Sequence, residues 1–172
     1  TVAFTIQFEL NFPNGRVLIV SETFSKAKAF LGEVKTHFEK NKKLRTIYGT
    51  IYKNDDGSPM TPNQNEKFDT WSTEALNLSS RNRPLKEPSI DVAGIGVTKN
   101  GMHYDLIIAD DICDGGGTFL GVASALRTHY GPVPLHLWTS HGIHSKGLDE
   151  LATTFTTIGC TDSFRSGRSH PS

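Results

Sequence analysis

The sequence predicts a three-layer α/β fold, with a mainly parallel sheet and helices on both faces. Three observations carry that prediction. Short apolar runs at 16–21, 104–109 and 133–139 are bounded by turn residues, which is how buried strands read. Segments with apolar residues every three or four positions lie among them, each fit to lay one face of a helix on a sheet. The run 105–121 ends a strand in two acids and passes through three glycines into a helix. Ligands of open α/β sheets lie at that end of the strands.

The elements follow in order. Residues 16–21 come after Pro13, Asn14 and Gly15 and make the first buried strand. From Thr23 to Lys40, Phe24, Ala27, Phe30, Leu31, Val34 and Phe38 recur at helical spacing, with Ser21 or Thr23 placed to cap. Residues 52–68 are polar and carry Asp-Gly, Ser-Pro and Thr-Pro pairs, the signals of a surface loop. Strands are expected over 70–80 and 89–97, with Gly94 and Gly96 permitting close backbone approach. After the turn at 98–103 come strand 104–109, a helix over 118–130 with Phe119, Val122, Ala123 and Leu126 facing in, and strand 133–139. A helix over 146–154 and a strand over 156–160 complete a single domain, 1–165, and residues 166–172 form a frayed tail.

Composition sets the outer limits. The chain has 172 residues, one domain's worth, and 18 basic against 18 acidic side chains. With no net charge, the bulk field gives DNA no reason to approach. The runs 40–45 and 81–83 are locally basic, and such runs are ordinarily solvated faces, with phosphate binding the alternative. Two cysteines, Cys113 and Cys160, have neither zinc-site nor disulfide-framework spacing, and thiols suit a reducing cytosol. No apolar run spans a membrane and no signal-peptide pattern opens the chain, so the expected location is cytoplasmic.

The chemistry is concentrated at 105–121. Leu106 to Ala109 deliver Asp110 and Asp111 to the strand's carboxyl end; Asp114 follows, then Gly115, Gly116, Gly117 and Thr118 lead into the helix. Glycines there let backbone N–H groups close on an anion, and the helix N-terminus behind them favours negative charge. Adjacent carboxylates repel unless a cation or hydroxyls balance them. The plainer alternatives are a turn cap for the acids, an N-cap for Asp114 and a tight strand-to-helix turn for the glycines. His141 and His144 have no third metal ligand at suggestive spacing and read as hydrogen-bonded loop residues. Cys113, among carboxylates, is a packing residue rather than a nucleophile. Trp71 and Trp138 read as core or interface aromatics.

Two resemblances refine this picture. Residues 110–118 resemble the phosphoribosyl pyrophosphate (PRPP) loop of type I phosphoribosyltransferases, and above all the ribose-phosphate half of PRPP synthetases. The likeness continues through 139–147, with one inserted residue relative to the Thr-His-Gly-Ile-Phe-Ser stretch of those synthetases, and through Phe155, Ile158 and 161–163. It implies that Asp110 and Asp111 hold ribose hydroxyls, directly or through Mg²⁺, and that Asp114, Gly115, Gly116, Gly117 and Thr118 hold the 5′-phosphate. Residues 1–112 are similar to the ATPase domain of phage large terminase subunits, most strongly over 71–76, 86–90, 93–96 and 101–111. There the same Asp110 and Asp111 would be the Walker B acids, one holding Mg²⁺ through water and the other orienting the attacking water.

The two resemblances meet inside one strand, and neither brings a whole enzyme. No Gly-x-x-x-x-Gly-Lys-Ser/Thr occurs, so the terminase reading expects a fragment or recombinant without its phosphate loop. Residues 1–104 do not resemble the ATP site and basic catalytic loop of a PRPP synthetase. The expected function is Mg²⁺-assisted binding of ribose 5-phosphate or PRPP on a Rossmann-like sheet; if a full enzyme assembled, the chemistry would be pyrophosphoryl or phosphoribosyl transfer. The alternative is a DNA-packaging ATPase fragment, with ATP and DNA as partners and the bacterial host cytoplasm as its place. A third reading is a chimeric chain without effective activity, because halves from two parents match poorly at their joint. An oligomer is compatible with each.

Overall fold

The computed structural model describes residues 1–62, 70–94, 99, 101–110, 116–132, 134–139, 142 and 148–160. The chain is mixed α/β with a mostly parallel sheet. It divides after Ile108 into two compact units. That division falls within the strand on which the two resemblances meet.

The first unit, Thr1–Ile108, begins with helix α1 (Val2–Asn11). Strand β1 (Val17–Ser21) follows the Pro-Asn-Gly turn, and all five of its residues are buried, as the continuous apolar run demands of a central strand. Helix α2 (Phe24–Lys40) starts where Thr23 Oγ1 accepts the Lys26 N–H at 3.3 Å. Its fully buried stripe of Ala27, Leu31, Val34 and Phe38 keeps the spacing that the sequence predicts. Helix α3 (Lys42–Ile51), two-residue β2 (Ala75–Leu76), β3 (Ile90–Gly94) and β4 (Leu106–Asp110) follow. β4 carries the chain across the division between the units.

The four strands form a sheet in the order β2-β3-β1-β4. β1 and β3 run parallel, with Val17 opposite Ile90 and Ser21 opposite Gly94; β2 pairs antiparallel with β3. Val17, Ile19, Ile90 and Val92 join the α2 stripe, Tyr48 and Leu76 in the main core, and Leu18, Val20 and Ala93 pack with Tyr104 and Ile107. Gly94 permits the close approach expected of it: a Cβ there would stand 2.8 Å from the Phe24 backbone nitrogen.

In the second unit, Ala109–Ser172, helix α4 (Gly117–Tyr130) is followed by β5 (His136–Thr139), α5 (Asp149–Thr154) and β6 (Thr157–Cys160). β5 and β6 are a parallel pair, with Leu137 opposite Ile158. Phe119, Leu137 and Leu151 are the buried centre, joined by Ala109, Leu120, Phe155 and Ile158.

Several elements depart from expectation. The strand over 70–80 contracts to Ala75–Leu76, because Ser72 folds back to accept from the Glu74 and Ala75 N–H groups. Helices α1 and α3 stand where the sequence reading assigns no element. The helix over 146–154 is helical from Asp149, and the strand over 133–139 from His136. Of the 52–68 loop, the described part turns at 54–57 and closes through a Lys53–Pro59 bridge. Gly96, residues 95–97 and the 166–172 tail lie outside the described residues. Among the described residues, no helix is long and apolar enough to cross a membrane.

Candidate functional site

β4 ends at Asp110, whose backbone is described; Asp111, Asp114 and Gly115 lie outside the described residues. The description resumes at Gly116, which precedes α4 with φ +74 and ψ −5, the left-handed region that glycine adopts without cost. Leu151 from α5 fills the space over it, and a Cβ would meet that side chain at 3.0 to 3.3 Å. Gly116 is therefore fixed by conformation and by contact. Gly117, the first residue of α4, is exposed, and nothing lies within 4 Å of where its Cβ would stand. Thr118 is half-buried on the first turn.

Among the described residues no side chain caps α4, and its first turn carries no acid. The positive end of a helix of 14 residues lies at Gly116 and Gly117. An anion there would accept the N–H groups that the helix cannot satisfy itself. Asp110 and Asp111 are the residues that could hold a cation. Their donor set is oxygen only, which suits Mg²⁺, an ion commonly held by one or two carboxylates plus substrate phosphate. Among the described residues no group of three or more His, Cys, Asp or Glu gathers as a metal site.

The other singled-out residues divide. His141, His144 and Cys113 lie outside the described residues. Trp71 packs against the main core and donates Nε1–H to Glu39 Oε1 at 2.7 Å, as a core aromatic would. The 81–83 run is not simply a solvated face. Arg81 is only 2% exposed and donates from Nη1 to Asn77 Oδ1 at 2.7 Å. Lys42, Lys43 and Arg45 are exposed, as expected of the other basic run.

A polar cluster in the first unit escapes sequence reading. Arg16, just before β1, donates Nε–H and Nη2–H to the two oxygens of Asp105, each at 2.8 Å, and Nη1–H to Glu87 at 3.5 Å. Glu87 also accepts the His103 N–H at 2.8 Å. The hydrogen bonds from Arg16 hold the Asp105 carboxyl below its ordinary range. Glu9 on α1 is fully buried, and burial pushes its carboxyl well above the usual value, against the opposing pull of Arg81. On β3, Asp91 accepts from Lys99 Nζ at 3.0 Å on both oxygens and from the Tyr104 hydroxyl at 2.6 Å. One signal was readable beforehand: Asp91 is a lone charge inside the apolar run 90–94, where only a paired carboxylate belongs. No family model matches the chain, and neither a curated protein nor a solved structure matches it.

Proposed function

We propose that the 110–118 segment binds a phosphoribosyl compound, ribose 5-phosphate or PRPP, with the help of Mg²⁺. The observation that carries this reading is the start of α4, with left-handed Gly116 before it, open Gly117 upon it and no side-chain cap among the described residues. On this reading the 5′-phosphate takes the N–H groups of the first turn, with Asp114, Gly115 and Thr118 around it. Asp110 and Asp111 hold ribose hydroxyls and Mg²⁺. Bound Mg²⁺ supplies positive charge that lets phosphate and carboxylates share one site. The fold that accompanies it is three-layered and Rossmann-like, working in the cytoplasm. The chain's part is to position charge, and completing pyrophosphoryl or phosphoribosyl transfer needs a second-substrate site beyond this loop.

Calorimetry with ribose 5-phosphate, PRPP and ATP, each with and without Mg²⁺, tests this. Binding of either ribose phosphate that Mg²⁺ strengthens, and that Asp110→Asn with Asp111→Asn weakens without unfolding the chain, is the expected result. Ribose phosphates that bind the double variant unchanged would remove the assignment.

A second reading has its own support. Asp110 ends a strand that borders β1 in a mostly parallel sheet, a position suited to a Walker B acid. On that reading the chain is part of a DNA-packaging ATPase. ATP binding that Mg²⁺ strengthens and that Asp110→Asn with Asp111→Asn weakens, with no response to ribose phosphates, would favour it.

A further inference from the structure

The geometry points to a second anion site, on the first unit, for an organic polyphosphate held in the groove beside α3. This groove has a volume of about 440 Å³, within the size range of small-molecule sites. Lys42, Arg45 and Thr46 form one wall, and Pro59, Met60 and Pro62 the other. Among the described residues no carboxylate lines it.

The charge is concentrated, and no described acid neutralises it. α3 carries Lys42, Lys43 and Arg45 on ten residues and no acid. Among the described residues none of these three cations is in an ion pair; Arg45 reaches only the Glu39 carbonyl oxygen, at 3.3 Å. The nearby Glu39 carboxylate is engaged by Trp71 Nε1–H at 2.7 Å and faces Lys35 Nζ at 4.0 Å. All this occurs in a chain whose net charge is zero. The groove also opens at the first turns of α3, where the helix dipole adds to the positive potential. Asn41 already caps the Leu44 N–H at 3.2 Å, so side-chain cations rather than bare backbone would hold the ligand.

The opposite wall limits the ligand class. Two prolines and an adaptable methionine give a rigid apolar surface suited to the flat or aliphatic part of an organic phosphate. The groove on the second unit is a contrast: Glu150 lies among its lining residues, and the one cation among the described ones, Arg127, already donates to the Thr154 carbonyl.

The test uses the full chain in EDTA at about 0.15 M salt, which separates this site from any that needs Mg²⁺. ATP and inorganic tripolyphosphate are titrated by calorimetry. Both should bind, ATP more tightly, and Lys42→Ala with Arg45→Ala should weaken both at least tenfold. Met60→Ala should weaken ATP several-fold and leave tripolyphosphate unchanged. Asp110→Asn with Asp111→Asn should change neither, so failure here and failure of the ribose-phosphate reading are separable. These two cations are exposed, and an unchanged circular dichroism spectrum confirms that the double variant folds. Absence of binding to the natural chain at millimolar ligand, or binding that survives the loss of both cations, would overturn the site.

Discussion

Arg16 and Asp105 lie 89 positions apart and meet in a two-pronged ion pair, with both guanidinium contacts at 2.8 Å. The Arg16 backbone N–H adds a third bond to Asp105 Oδ2 at 3.0 Å, and the Arg16 carbonyl accepts from the Asp105 and Leu106 N–H groups. The start of β1 is thereby tied to the start of β4. Arg16→Lys keeps the charge but loses the fork, and should cost about 1 kcal/mol, discounted because the pair is partly exposed. The pH sign follows from the lowered Asp105 carboxyl. Its contribution is present above the ordinary value of 3.8 and is lost as pH falls below that. Asp105→Asn should flatten this acid limb, as urea unfolding from pH 5 to pH 2 would read.

The buried Tyr48 hydroxyl pairs with Ser79 Oγ at 2.6 Å and accepts the Ser80 N–H at 3.1 Å. It ties α3 to a segment that has no ladder of its own. Tyr48→Phe keeps the ring and its edge-on contact with Phe38 but strands two buried partners. Because an unmade buried bond costs more than a made one contributes, the loss should be about 1–3 kcal/mol. Chemical denaturation at neutral pH, compared with a Ser79→Ala chain, measures it.

Glu9 works in the opposite sense to Asp105. A carboxyl whose pKa rises on folding binds its proton more tightly in the native state, so stability falls as pH climbs above 4.5, until the native group itself ionises. The slope of one proton is about 1.4 kcal/mol per pH unit. Glu9→Gln is neutral at every pH and should remove this fall. The gap between variant and natural chain should widen from pH 4.5 upward in the variant's favour. A constant gap from pH 4 to pH 8 would mean that Glu9 does not titrate with folding.

These cases mark what was legible in the sequence. β1, α2, β3, β4 and α4 were readable from their apolar patterns, although Leu106, Ile107, Ile108 and Ala109 of β4 are half-buried rather than buried and β3 also buries Asp91. α1 was not. Its apolar residues Val2, Phe4, Ile6, Phe8 and Leu10 alternate with a period of two, while the buried residues are Thr5, Ile6 and Glu9. A polar residue at the core end of the stripe hides the helical period. α3 was concealed by its cations, which drew attention away from the half-buried Leu44 and Tyr52 and the buried Tyr48 between them. Charged residues are assigned to the surface by default, and Glu9, Arg81 and Glu87 defy that, Glu87 through Arg16, a partner no local window contains. At the candidate site, the Gly-Gly-Gly-Thr run announced a turn into a helix, but not that Leu151 would stand over Gly116.

That contact separates two neighbouring glycines by role. Gly116→Ala meets both a positive φ and the Leu151 side chain at 3.0 Å, and should destabilise the second unit by about 1–2 kcal/mol. Gly117→Ala meets neither; alanine suits a helix better, so stability should hold or rise by up to about 1 kcal/mol. If a phosphate sits on the first turn of α4, the added methyl of Gly117→Ala crowds it. Ribose 5-phosphate affinity should then fall about tenfold while thermal stability does not. Stability that drops with Gly117→Ala would show that Gly117 holds the turn; affinity that stays unchanged would move the phosphate away from it. Measuring both on one purified chain separates the requirement of the fold from that of the ligand.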